Sequence, residues 1–147
     1  MKFITIILAT WFYSGKLPGI PGTWGSLVAA ILWWYIPESL FIQLLCILVV
    51  SIAGIYISGQ YEKLVNQSDP PEVVIDEVAG MWLSLLLIPH TLWLFGLAFI
   101  IFRLLDIVKP LFIDKLQEFE GGLGIMLDDI AAGLITFFLI HAIRIIF

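Results

Sequence analysis

Five carboxylates stand out for where the chain puts them. Asp76, Glu77, Asp106, Asp128 and Asp129 each fall where a long uncharged stretch meets a short charged one. Ionisable groups at the edge of a membrane-like segment are costly to desolvate and are functional candidates for that reason. Asp76, Glu77, Asp128 and Asp129 open predicted helices, where the helix dipole favours an anion by roughly 0.3–1 kcal/mol, so interfacial capping is their competing explanation. Asp106 closes a helix, the disfavoured end for an anion. It needs a cation, either Arg103 or Lys109 three residues to each side or a bound metal. Five carboxylates on one face repel unless neutralised. Hard oxygen donors with no Cys or His among them suit Mg²⁺ rather than Zn²⁺.

Three further groups accompany the acids. The run Glu120-Gly121-Gly122-Leu123-Gly124 leads directly into Asp128-Asp129. Its glycines permit positive φ and close backbone approach, and the amides of the helix that follows can hold phosphate. The segment Ser14-Gly15-Lys16-Leu17-Pro18-Gly19-Ile20-Pro21-Gly22-Thr23 is a rigid turn with free amides but not a Walker loop, because the Gly/Lys/Ser spacing is wrong. Thr23 or Ser26 either caps the next helix or holds a phosphate oxygen. Arg103, Lys109 and Lys115 form a basic trio, with Pro110 bending the chain after Lys109. Arg103, one turn before Asp106, is a salt-bridge partner or a phosphate clamp. His90 and His141 lie far from the acids and read as structural, as does the lone Cys46 in an apolar run.

The surrounding elements must hold these groups in a bilayer. Of 147 residues, 61% are apolar and 13% charged, and the mean hydropathy is +1.07. A soluble domain is nearer half apolar and one quarter charged, so the chain reads as one integral membrane domain, residues 1–147. The net charge of −5 and the absence of a basic stripe exclude a nucleic-acid partner. Residues 17–37, 39–61, 78–102 and 130–142 carry no charge, whereas six charges crowd into 62–77 and nine into 103–129. Pro37 and Pro89 divide two of these runs, giving two helical hairpins with turns at Ile36-Pro37-Glu38-Ser39 and Ile88-Pro89-His90-Thr91. The fold class is therefore all-α: a polytopic membrane bundle of about five helices, two hairpins plus a C-terminal helix from about 129 to 146. A short interfacial helix over 3–13 precedes them. Small residues at helical spacing (Gly54, Gly80, Ala132, Gly133, Ser51 and Ser58) are packing contacts, and Trp33, Trp34 and Tyr35 fit an aromatic belt.

Counting crossings puts all three polar loops on one side and the two tight turns, with the C-terminus at Phe147, on the other. Lys16, Lys63, Arg103, Lys109 and Lys115 share the polar side, against Arg144 opposite, so the positive-inside rule makes that side cytoplasmic.

The motifs, taken in order, resemble the phosphatidylglycerophosphatase A family. The matching pieces are Gly15 with Pro21-Gly22-Thr23-Trp24-Gly25-Ser26; Asp76-Glu77 with Gly80-Met81-Trp82; Phe102-Arg103, Asp106 and Lys109-Pro110; and Gly121-Gly122-Leu123-Gly124-Ile125-Met126-Leu127-Asp128-Asp129 with Ala132-Gly133. They cover nearly the whole chain. The resemblance implies a Mg²⁺-dependent enzyme of the bacterial inner membrane that hydrolyses phosphatidylglycerophosphate to phosphatidylglycerol and phosphate, with no obligate protein partner. On that footing Asp76, Glu77, Asp128 and Asp129 are expected to bind one or two Mg²⁺, and Asp106, Asp128 and Asp129 to take part in catalysis. Lys16, Thr23, Arg103, Lys109, Gly121, Gly122 and Gly124 are expected to hold the substrate. Direct water attack and an aspartyl-phosphate both remain open. A cation-coupled transporter or channel is the rival of another class, since it too uses intramembrane carboxylates. Against it, the acids cluster at one end and the central runs offer no polar pathway.

Overall fold

The computed structural model describes residues 2–110 and 112–146. Met1, Leu111 after the Lys109-Pro110 bend, and Phe147 at the end of the last expected crossing lie outside these. Among the described residues every regular element is helical. In order they are α1 (Lys2–Ala9), a 3-10 turn (Ser14–Lys16), α2 (Pro21–Trp33), α3 (Leu40–Val65), α4 (Ile75–Ser84), α5 (Leu92–Val108), α6 (Ile113–Leu116) and α7 (Gly122–Ile146).

Two of these helices, α3 and α7, are long and apolar enough to cross a bilayer. Their 26 and 25 residues reach about 37–39 Å at ~1.5 Å per residue, against a hydrocarbon core of ~30 Å. Only 17% of the most apolar stretch of α3 is buried inside the protein, which is not the signature of a soluble protein's core helix. Phe41, Ile52 and Tyr56 instead expose 62–75% of their surface along it. An apolar face so uncovered marks a membrane or protein contact surface.

The shortest major helix occupies the centre. All ten residues of α4 except Glu77 and Leu83 are buried, enclosed by α2, α3, α5 and α7. A helix that touches protein on all sides has no need to match bilayer thickness, so its ~15 Å length carries no mismatch penalty. Two tryptophans fasten α2 to it. Trp82 Nε1 donates to the Ala29 carbonyl at 3.0 Å, and Trp33 Nε1 donates to the Leu85 carbonyl at 3.2 Å. Trp33 is thus fully buried in the core and not part of an aromatic belt, whereas Tyr35 is 79% exposed.

The hairpin arms and turns fall where the prolines require. At the turn end, His90 N donates to Glu38 Oε1, Leu87 N to Gln43 Oε1, and Arg144 to the Leu87 carbonyl. Both turns and the end of α7 therefore meet. Three boundaries differ from the sequence expectation. First, α1 stops at Ala9 because the Thr10 hydroxyl donates back to the Ile6 carbonyl and Trp11, Phe12 and Tyr13 all take positive φ; the Ala9 carbonyl accepts from Val74 N. Second, α6 is an additional short helix in the loop after Pro110. Third, α7 begins at Gly122, seven residues before the expected start.

Candidate active site

The geometry of the acids is set by a crossing of glycines. A Cβ on Gly133 would lie 2.9 Å from Gly80 Cα and would strike the Gly80 carbonyl oxygen. A Cβ on Gly80 would lie 2.5 Å from the Asp129 carbonyl oxygen and 2.6 Å from Phe102. Backbone thus touches backbone where α4 meets α7, the close approach that small residues allow. Asp129 is brought beside the first turn of α4, which carries Asp76 and Glu77. Phe102, fully buried against the same crossing, brings in the end of α5 with Arg103 and Asp106.

Two carboxylate trios result. Asp76, Glu77 and Asp129 offer oxygens within 4.8 Å of one another, and so do Asp106, Asp128 and Asp129. Asp129 belongs to both. Two cations partly neutralise the set. Arg103 pairs with Asp106 through one nitrogen, which is also 3.8 Å from Glu77 Oε1. Lys109 Nζ donates to Asp128 Oδ2 at 2.5 Å, while Asp128 Oδ1 accepts from Asp129 N at 3.0 Å. Lys109 is the left-handed C-cap of α5, so the bend before Pro110 aims its side chain back at α7. Burial alone would lower its pKa, but the hydrogen bond and charge of Asp128, with Asp106 and Asp129 nearby, raise it.

Two cations do not balance five carboxylates. Asp76 Oδ1 and Glu77 Oε2 are buried without any hydrogen-bond partner. Carboxylates gathered with no sulfur or imidazole donor among them, and with orphaned oxygens in the set, fit a hard divalent cation. The donor set is compatible with a divalent metal.

The other expected site residues divide. The first turn of α2 reaches the cluster: a Cβ on Gly22 would collide with Glu77 Oε1 and lie 3.0 Å from both Arg103 terminal nitrogens. Thr23, the next residue, is half-buried there. Neither Thr23 nor Ser26 caps the helix. Ile20 is the N-cap, Pro21 opens the helix, and the Ser26 hydroxyl donates to the Gly22 carbonyl. Lys16 is exposed on the 3-10 turn with its Nζ over the Tyr13 ring, 5.5 Å from the centroid, and is not brought to the acids.

The glycine run does not precede a helix opening at Asp129. Gly122 and Gly124 already lie in α7, so Asp128 and Asp129 sit nearly two turns inside it and are not N-terminal caps. A Cβ on Gly122 would strike the Ile55 carbonyl oxygen of α3, and one on Gly124 the Phe119 carbonyl oxygen. Packing explains both. Only Gly121 has positive φ, +66°. Gly121 and Gly124 line a groove of about 520 Å³ that also holds Glu62, Asp69, Glu118 and Glu120 against a single Lys63, a poor seat for an anion. Residues the sequence reading passed over include Gly22 and Phe102 as positioning contacts. The signal available for Gly22 was a glycine directly after an N1 proline, where no turn requires one.

Comparison with known proteins now bears on this site. The sequence profile described as Phosphatidylglycerophosphatase A matches residues 7–144, a span that contains all five acids. The chain belongs to the phosphatidylglycerophosphatase A family. Its members among curated relatives include the phosphatidylglycerophosphatase A of Escherichia coli K12, 42% identical over 88% of this chain and 77% of that protein. The Haemophilus influenzae phosphatidylglycerophosphatase A is 34% identical over 94% and 87%. A Bacteroides thetaiotaomicron protein, provisionally named a phosphatidylinositol-3-phosphatase, is 38% identical over 97% and 95%. No solved structure matches the chain. Family membership makes this protein a phosphatase, and its apolar α3 and α7 make it a membrane protein. The transporter reading gives way.

Proposed function

We propose that the protein is a Mg²⁺-dependent phosphatidylglycerophosphate phosphatase whose active site is the Asp76, Glu77, Asp106, Asp128 and Asp129 cluster. The observation that carries this is the pair of carboxylate trios sharing Asp129, with Arg103 and Lys109 on their edge, in a chain of this family. Asp76, Glu77, Asp128 and Asp129 would hold the metal, with Asp106 completing the donor set. Bound there, a divalent cation supplies charge neutralisation of the phosphoryl oxygens and a more acidic water. Arg103 and Lys109 bind the phosphoryl oxygens by exchanging part of their pairing with Asp106 and Asp128 for the substrate. Net hydrolysis places water oxygen on phosphorus and breaks the bond to the glycerol oxygen. A carboxylate of the Asp106, Asp128 and Asp129 trio accepts the water's proton and returns it to the departing alkoxide, giving the phosphatidylglycerol hydroxyl. Thr23 and the first-turn amides of α2, beside Glu77 and Arg103, border the same space.

The proposed setting is the bacterial inner membrane, crossed several times, with the cluster at the cytoplasmic surface. Support comes from the charge asymmetry: Arg103 and Lys109 sit at the site end, while Arg144 is bonded to Leu87 at the other. The Bacteroides relative's name favours a second substrate, a phosphoinositide monoester, which presents the same dianionic phosphate. Phosphate release by detergent-purified protein from each lipid, with Mg²⁺ or EDTA, beside Asp129→Asn, tests the reading. Mg²⁺-dependent release from phosphatidylglycerophosphate that the variant loses is expected. Release in EDTA, or an unimpaired variant, would remove the metal-carboxylate mechanism. Faster release from the phosphoinositide would change the substrate.

A further inference from the structure

A second cavity, apolar and of about 430 Å³, lies between α2 and α5. Its walls include Leu27, Ile31, Trp34, Phe95, Gly96 and Phe99. Gly96 is unlike the crossing glycines: a Cβ built on it would meet nothing within 4 Å. Glycine is poorly suited to a helix interior, and here no packing partner accounts for it. What its missing side chain preserves is the depth of this groove.

The groove and the acidic cluster share two helices. Its two walls are the helices whose opposite ends reach the site, α2 through Gly22 and α5 through Arg103 and Asp106. Along α5, Phe99 lies four residues and Leu92 eleven residues before Arg103, about 6 and 16 Å deeper at ~1.5 Å per residue. One leaflet's hydrocarbon is about 15 Å thick, half of the ~30 Å core. An acyl chain hanging from a lipid whose phosphate sits at Arg103 therefore passes the groove over its length. Resting on the phosphatase reading above, we infer that the α2–α5 groove binds one acyl chain of the lipid substrate, with Gly96 keeping it open.

The test compares dioleoyl with dihexanoyl phosphatidylglycerophosphate as substrates of wild-type protein, Gly96→Leu and the control Leu48→Phe, whose residue lies on the exposed side of α3. Plugging the groove is expected to lower the long-chain to short-chain ratio of kcat/KM at least about tenfold, as losing two buried methylene contacts would. The control ratio stays at the wild-type value. An unchanged ratio in Gly96→Leu overturns the inference. Gly96→Ala and Gly96→Val, graded in size, keep the test valid if the leucine variant folds poorly. A readout independent of turnover uses a phosphatidylglycerophosphate probe with a diazirine near the chain end, in nanodiscs, beside a phosphatidylcholine probe with the same chains. Preferential labelling of Ile31, Phe95 or Phe99 by the first probe supports the assignment. Equal labelling by both probes, meaning bulk lipid, overturns it, as does crosslinking of the groove to a second copy of the chain. Wild-type protein inactive on both chain lengths would instead sink the substrate reading, while the labelling still reports on the groove.

Discussion

Replacing Gly80 by alanine should damage activity more than stability. The new methyl would sit 2.5 Å from the Asp129 carbonyl oxygen and 2.6 Å from Phe102 Cε2, where ordinary contact begins at 3.4 Å. Relief requires about 0.9 Å of separation between α4 and α7, taken directly at Asp129. The backbone oxygen cannot swing away as a flexible side-chain end would, so the helix must move. Overpacking of this kind costs about 1–3 kcal/mol, which leaves a domain of typical stability folded. A ~1 Å displacement of a catalytic group costs about 100-fold in rate. Both trios contain Asp129, so both are spread by the same shift. The assay is Mg²⁺-dependent phosphate release alongside thermal unfolding in detergent, for Gly80→Ala and Gly59→Ala. On Gly59 the Cβ would meet Gly122 N at 3.4 Å, an ordinary contact. The expected activity loss is far greater for Gly80 than for Gly59. A Gly80→Ala enzyme with wild-type turnover would refute the argument that backbone contact at this crossing sets the site.

Four other outcomes follow from the same geometry. Asp129→Asn should reduce turnover by more than the ~10–100-fold typical of residues that only support a metal ligand, measured at saturating Mg²⁺. Arg103→Gln should lower the unfolding temperature more in EDTA than in Mg²⁺, because without a cation Glu77 and Asp106 lose their buried partner, a loss of about 3–5 kcal/mol when nothing replaces it. The Lys109 ammonium has a folded pKa above its ordinary 10.5, so its pairing with Asp128 stabilises fully below that pH and is lost as pH rises through the folded value; denaturation of wild type, but not of Lys109→Met, should steepen above about pH 10.5. Gly96→Ala should stabilise the fold by about 0.5–1 kcal/mol, seen as a higher unfolding temperature, since the methyl meets no obstacle.

Charge spacing and prolines carried most of the architecture. Uncharged runs interrupted by Pro37 and Pro89 determined the hairpins, and counting crossings placed Asp76, Glu77, Asp106, Asp128 and Asp129 at one end, because a charged side chain cannot cheaply sit elsewhere. That logic is local and one-dimensional, so it survives without a structure. It could not tell that α4 lies enclosed and α3 uncovered, since both draw on long uncharged runs, nor that Trp33 faces the core. The glycines show the limit most clearly. Gly80, Gly96, Gly122 and Gly124 look alike in sequence, yet two bring helices into backbone contact, one accommodates the Phe119 carbonyl and one borders open space. What a missing side chain accomplishes depends on what stands opposite, often fifty or more residues away. The sequence alone determined which acids stand at the ends of the uncharged runs; the tertiary crossing of α4 with α7 decided that Asp129 belongs to two trios at once, because only the closest approach of two backbones brings oxygens from three helices together.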